Sequence, residues 1–178
     1  MLSRRNFLAL TAAASASTLI ATPAQAALRT HMERIIHLHN IHTGESLRTV
    51  YWHDGRYRTS ALRQLNHLLR DHYSGAVHVM DPHVIDVLAA LQHRVAGNKP
   101  LQIVSGYRTP QTNAMLASLS DGVAQHSLHM EGKAVDIRVE GVSVHHLGRA
   151  AKSLHAGGVG QYPASNFVHV DVGRVRYW

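Results

Sequence analysis

No residue of this 178-residue chain is a cysteine. Disulfides, thiolate metal sites, iron–sulfur clusters and cysteine nucleophiles are excluded together. The fold must rest on a buried apolar core, and hydrophobic residues, at 45% of the sequence, suffice to build one. Any metal site must use imidazole and carboxylate donors. Imidazole is plentiful, with 16 histidines, but abundance locates no site. The histidines are scattered (His31, His37, His39, His42, His53, His67, His72 and others) rather than tandem, so a histidine-rich metal buffer is the weaker reading. The length is that of one domain plus a removable segment.

Residues 1–26 read as that segment. Arg4 and Arg5 form a basic start, an uncharged apolar stretch runs from Phe7 to Ala21, and Ala24-Gln25-Ala26 is a small-x-small cleavage pattern. Ser3-Arg4-Arg5-Asn6-Phe7-Leu8 resembles the twin-arginine export motif, with Ala9 where a lysine is usual. The stretch is too short and too rich in Ala, Ser and Thr for a membrane anchor. Export to the periplasm and a mature domain over 27–178 are expected, with no membrane span after processing. Formal charge is +7 with histidine neutral. In that compartment it points to an anionic wall or membrane surface rather than to nucleic acid.

The remainder shows no repeat, low-complexity run or Pro/Ser-rich linker. Glu33–Ile41 and Ser46–Trp52 read as strands joined through His42-Thr43-Gly44-Glu45, with Ile35, His37, His39 and Ile41 alternating on one side. Ser60–His72 reads as a helix capped by Ser60, with Leu62, Leu65, Leu68 and Leu69 at helical spacing. Asp81-Pro82 starts a second helix that ends at Gly97. Leu101–Ser105 is a buried strand, and Thr109-Pro110 opens a helix to about Leu119. Ala134–Val139 alternates as a strand, and Ser143–His155 is a helix closed by Gly157-Gly158. Val159–Gln161 and Phe167–Val172 are the last strands. Hairpins without regular βαβ spacing predict an α+β single domain, a small antiparallel sheet flanked by helices.

Chemistry concentrates in two late segments. In Ser127-Leu128-His129-Met130-Glu131-Gly132-Lys133-Ala134-Val135-Asp136, a loop-to-strand passage can bring His129 and Asp136 to one point. Gly132 permits a positive φ or a close backbone approach there. In Asn166-Phe167-Val168-His169-Val170-Asp171, strand alternation puts His169 and Asp171 on one face. Two imidazoles and a carboxylate suit zinc and leave the fourth tetrahedral position open, as in catalytic sites. Spacing alone supports this only weakly.

The string S-x-H-x-x-G-x-A-x-D (Ser127 to Asp136), followed by F-V-H-V-D, resembles the zinc peptidases that include D-Ala-D-Ala dipeptidases and carboxypeptidases. Phage L-alanyl-D-glutamate peptidases and the hedgehog domain share it. Ser105-Gly106-Tyr107-Arg108-Thr109-Pro110 is similar to the same group's S-G-Y-R motif, and the three motifs stand in the expected order. With the twin-arginine start and the Arg176-Tyr177-Trp178 ending, the chain resembles the murein endopeptidase K family, strongly over about residues 80–178.

The resemblance implies one zinc on His129, Asp136 and His169, held on the sheet of a hedgehog/DD-peptidase-like fold. It implies hydrolysis of cross-links between peptidoglycan stem peptides during wall growth, either between diaminopimelate residues or between D-Ala and diaminopimelate. A D,D- or L,D-carboxypeptidase and a non-catalytic peptidoglycan-binding module are the alternatives. Arg108 matches the arginine that faces substrate, against a structural ion pair. Ser105 and Tyr107 line the pocket or turn the chain. Ser127 is a structural hydrogen-bonder rather than a nucleophile, because metal-activated water needs none. Many relatives carry an acid three residues before the last histidine ligand, and here that position is Asn166. Asp171 is then the leading general base, or else the acceptor that fixes a ligand imidazole. His126 is a further catalytic candidate, and Glu131 is expected to face solvent. The sequence fixes no oligomeric state.

Overall fold

Alternation places Ile36, Leu38 and Asn40 inward along β1 (Glu33–Asn40). The residues expected to share a face, Ile35, His37 and His39, do so on the less buried side. The computed structural model describes residues 33–120, 122 and 124–178. The 1–26 export segment therefore lies outside the described residues, as do Asp121 and Val123. β1 and β2 (Ser46–His53) form the expected hairpin. Asn40 shapes its turn, its side-chain oxygen accepting from His42 N at 3.0 Å and Thr43 N at 3.2 Å.

Among the described residues eight strands form one sheet in the order β3-β2-β1-β4-β5-β7-β6-β8. The others are β3 (Arg56–Tyr57), β4 (Leu101–Ser105), β5 (Ala134–Arg138), β6 (Gly158–Tyr162), β7 (Phe167–Asp171) and β8 (Arg176–Tyr177). The architecture is α+β, as expected, but the sheet is mixed rather than antiparallel: β1 pairs with β4, and β6 with β8, in parallel. β3 and β8 are two-residue strands, too short for a period of two to reveal them.

Among the described residues the four α-helices are α1 (Thr59–Leu68), α2 (Pro82–Leu91), α3 (Pro110–Leu119) and α4 (Val144–Lys152). α1 packs on β2, α2 on β1, and α4 on β6 and β7. Between them and the sheet lie fully buried side chains such as Ile36, Leu65, Leu88, Leu101 and Ile137. Each contributes roughly 1.5–3 kcal/mol of transfer free energy. Asp81, Thr109 and Ser143 cap α2, α3 and α4 through their side chains. Among the described residues, no helix is long and apolar enough to cross a membrane.

Two helix expectations need correction. α1 starts one residue before Ser60, with Arg58 at the cap position and no side-chain cap. Arg58 N already donates to Tyr51 O at 2.8 Å, so β3 delivers the chain directly into the helix. α1 also stops at Leu68, where Asn40 Nδ2 donates to its carbonyl at 2.9 Å. α4 ends at Lys152 rather than at His155. Gly157 serves close approach instead, since a Cβ there would fall 1.9 Å from Asp171 O.

Register does the remaining work of placing a site. On the helix-covered face β5 and β7 present Val135, Ile137, Val168 and Val170. On the other face Asp136 is directly opposite His169. In β4 the register shifts between Ile103 and Ser105, so Ser105 rather than Val104 stands opposite Asp136. His169 in turn pairs with Gly160 of β6. Ser105, Asp136, His169 and Gly160 thus form one row across four strands.

Candidate metal centre

Gly106 follows β4 where the chain passes tightly over the end of α1; a Cβ there would lie 2.3 Å from Leu69 O. Tyr107 N donates to that same carbonyl at 2.8 Å. Pinned this way, Gly106 turns its own carbonyl inward, and His129 Nδ1 donates to it at 2.6 Å. His129 itself sits in a short 3₁₀ turn, Leu128–Glu131, capped by Ser127 and closed by Gly132 at φ +67. Ser127 thereby takes the structural role expected of it.

Three atoms converge. His129 Nε2 lies 3.2 Å from Asp136 Oδ1 and 3.2 Å from His169 Nδ1, and His169 Nδ1 lies 2.9 Å from Asp136 Oδ1. The site is buried, with side-chain exposures of 2% for His129, 5% for Asp136 and 12% for His169. Each imidazole commits its other nitrogen as a donor: His129 Nδ1 to Gly106 O, and His169 Nε2 to Asp171 Oδ2 at 3.1 Å. The inward-facing atoms are therefore all lone-pair acceptors. Three buried acceptors at such distances repel unless a cation or a proton lies among them. The donor set fits a divalent metal, and these are the residues the sequence motifs select.

The charges agree with this. Burial opposes ionisation of Asp136, yet His129 and His169 outweigh it and hold the carboxyl far below the usual range. Burial lowers the pKa of His129, keeping its imidazole neutral. Burial also opposes charge on His169, but hydrogen bonds to Asp136 and Asp171 prevail and raise it.

Arg108 donates from Nε to Ser105 Oγ at 2.8 Å and from Nη2 to Asp136 Oδ2. It orients the carboxylate whose other oxygen faces the metal position, and its side chain also lines the cavity above. Ser105 lines that cavity too, whereas Tyr107 turns away and stacks on His78 at 4.5 Å. The cavity measures about 420 Å³. Among its described lining residues, Asp136 is the sole acid, against Arg108, Arg176 and the imidazoles of His42, His72 and His126.

Asp171 is not placed to act as a base. Its side chain is fully buried behind His169. Oδ1 accepts from Gly158 N at 2.9 Å, Gly173 N at 2.8 Å and Arg176 Nη1 at 3.1 Å. Oδ2 accepts from His169 Nε2 and from Arg176 Nη2 at 2.7 Å. Burial works against its charge, but these donors hold it well below the usual carboxylate range. A carboxylate so engaged, and off the cavity wall, fixes its partner's tautomer instead. His126 is exposed on the cavity wall. Asn166 lies in an exposed turn at φ +53, a left-handed position that asparagine tolerates. Glu131 faces solvent and pairs with Lys133 at 2.8 Å.

Sequence reasoning assigned no role to Arg176, Trp178, Gly160 or the Gly106 carbonyl. Glycines at 158 and 160 inside a strand pattern are the signal that could have pointed to a close approach there.

A family model described as Peptidoglycan L,D-endopeptidase MepK matches residues 28–178. A protein of Escherichia coli strain K12 named Peptidoglycan L,D-endopeptidase MepK is 44% identical over 176 residues, covering 98% of this chain and 96% of the relative. The Shigella flexneri protein of that name matches to the same extent. A Haemophilus influenzae protein named Probable peptidoglycan L,D-endopeptidase MepK is 37% identical over 98% of this chain and 95% of its own length.

Proposed function

Because the chain belongs to the peptidoglycan L,D-endopeptidase MepK family, we propose that it is a zinc-dependent peptidase that hydrolyses cross-links between peptidoglycan stem peptides. The observation that carries this is the convergence of three buried acceptor atoms, His129 Nε2, Asp136 Oδ1 and His169 Nδ1, beside an open cavity. Tetrahedral zinc with bonds of about 2.0–2.1 Å needs donors about 3.3–3.4 Å apart, a spread of only a few tenths of an ångström from the distances seen.

Bound zinc supplies Lewis acidity, polarising an amide carbonyl and lowering the pKa of a water. The chain's own residues do the rest. Gly106 O and Asp171 hold the two imidazoles in the tautomers that leave His129 Nε2 and His169 Nδ1 free. Arg108 keeps the Asp136 carboxylate aimed and brings a positive charge to the cavity where negative charge develops on the carbonyl oxygen. Of the two residues considered for proton transfer, His126 is the one on the cavity wall, and it takes that role.

The excess of cationic groups around the cavity suits stem peptides, which carry free carboxylates. An L,D specificity means that an L-configured residue supplies the carbonyl. This favours the diaminopimelate–diaminopimelate bond over D-Ala–diaminopimelate. Export through the twin-arginine route to the periplasm rests on Arg4, Arg5 and Ala24-Gln25-Ala26, and would bring the enzyme to its substrate.

The test is digestion of purified muropeptide dimers by the 27–178 chain, with zinc and with chelator, read by mass spectrometry. The expected result is conversion of dimers to monomers with zinc alone. Intact dimers in the presence of bound zinc would refute the reading.

A further inference from the structure

The row of sheet positions that carries the ligands continues past them to Gly160. That position has no side chain, and the Trp178 indole occupies the space: a Cβ on Gly160 would lie 2.6 Å from the ring. The indole stands 5.4 Å from the His169 imidazole, centroid to centroid, at 43°. Its backbone is tied to β6, Trp178 N donating to Val159 O at 3.2 Å and Gln161 N to Trp178 O at 3.0 Å. Its Nε1 donates to Tyr162 Oη at 2.7 Å. Arg176 lies 5.0 Å over the ring, and the same guanidinium grips Asp171, which holds His169. His169, Asp171, Arg176 and Trp178 form a closed circuit of contacts.

Trp178 is nevertheless 48% exposed, and it lines the cavity. A ring with its orientation fixed by these contacts and about half of its surface exposed presents apolar area at little entropic cost. Tyr162 and Phe167, stacked at 4.5 Å, extend the same wall. Polar and cationic side chains, Ser105, Arg108 and Arg176, stand near the ligands, with Val104, Leu116 and Leu128 also on the lining. One wall thus suits an aliphatic chain, next to the position where an amide would be cut.

We propose that Trp178 is a substrate-binding residue whose exposed, cavity-lining indole takes the aliphatic chain of the stem-peptide residue flanking the cleaved amide. The inference rests on the peptidase reading and adds a basis for specificity. Diaminopimelate offers a methylene chain to such a platform, whereas alanine offers one methyl group.

The experiment compares Trp178→Ala, Trp178→Phe and Gly160→Ala, all zinc-loaded, for kcat and KM on muropeptide dimers and for zinc affinity by chelator competition. Trp178→Ala is expected to raise KM about tenfold. Its kcat and zinc affinity should stay within about twofold of the parent. Trp178→Phe should recover most of the loss, and Gly160→Ala, which displaces the ring without removing it, should raise KM as well. An unchanged KM in Trp178→Ala overturns the proposal, as does a loss of zinc affinity alone, the mark of a mere buttress.

A second readout needs no turnover. The chain has two tryptophans, so in a Trp52→Phe background Trp178 is the sole emitter. Titration with a diaminopimelate-containing tetrapeptide should change its fluorescence saturably, and a flat titration overturns the proposal. Saturable binding at Trp178 without any dimer cleavage would refute the peptidase reading while leaving the platform intact.

Discussion

Asp171→Asn separates a base from a positioning residue. The wild-type carboxylate accepts five hydrogen bonds and donates none. An asparagine keeps one acceptor atom and replaces the other with an N–H pair. In either orientation that pair meets at least two donors: His169 Nε2 and Arg176 on one side, or the Gly158 and Gly173 amides on the other. The first orientation drives the His169 proton from Nε2 to Nδ1, the atom the metal needs. Loss of such a partner lowers metal affinity by about 10–100-fold. Folding stability should fall by about 1–3 kcal/mol, because the carboxylate's charge and one of its two contacts to a partly exposed Arg176 are lost. Zinc affinity is read by competition with a chromogenic chelator, and dimer cleavage is measured at saturating zinc. The account expects weaker zinc binding and substantial recovery of kcat once zinc saturates. Unchanged zinc affinity with a collapsed kcat would show that Asp171 is the base and that the geometric reasoning is wrong.

Other consequences are as direct. Arg108→Lys cannot reproduce the fork that reaches Ser105 and Asp136 together. It should cut kcat/KM on dimers by on the order of 100-fold, with a circular dichroism spectrum like that of the parent. Gly106→Ala drives a Cβ into the Leu69 carbonyl and should cost about 1–3 kcal/mol in urea unfolding. Asp71 is buried; desolvation opposes its charge, but the Thr112, Thr109 and Tyr73 donors hold its pKa down at about 2. Its folded pKa is thus below the unfolded value of about 3.9, so the stability it contributes is present above that value and is lost as pH falls toward the folded one. Acid unfolding of the zinc-free chain should steepen over that window, and Asp71→Asn should flatten it. Hydrogen bonds to Asp136 and Asp171 raise the pKa of His169, so protons compete with zinc there, and zinc affinity read by chelator competition should fall as pH is lowered.

Much of this was legible in the sequence because it is local. Asp81-Pro82, Thr109-Pro110 and Ser143 mark helix starts in the sequence, and in the structure all three helices start there, each with a side-chain cap. The three ordered motifs contain Arg108, His129, Asp136 and His169, and these side chains converge at the candidate metal centre. What escaped is set by tertiary contacts. β8 has two residues and exists through pairing with β6. α1 begins where β3 releases the chain, and that overrides the Ser60 signal. Strand alternation correctly put Asp171 beside His169. It could not say that two glycine amides and Arg176 enclose the carboxylate on its other sides, the fact that decides between base and buttress. Trp178 was visible only as part of a terminal R-Y-W string, because its place over Gly160 depends on sheet order.

The central claim is that one zinc, on His129, Asp136 and His169, makes this chain a peptidase. It is tested most directly by titrating the metal-free chain with zinc while following cleavage of diaminopimelate-cross-linked dimers. Activity should rise in proportion to zinc and stop at one equivalent per chain, with no activity in His169→Ala at any zinc level. Full activity without zinc, or a break at two equivalents, would contradict it.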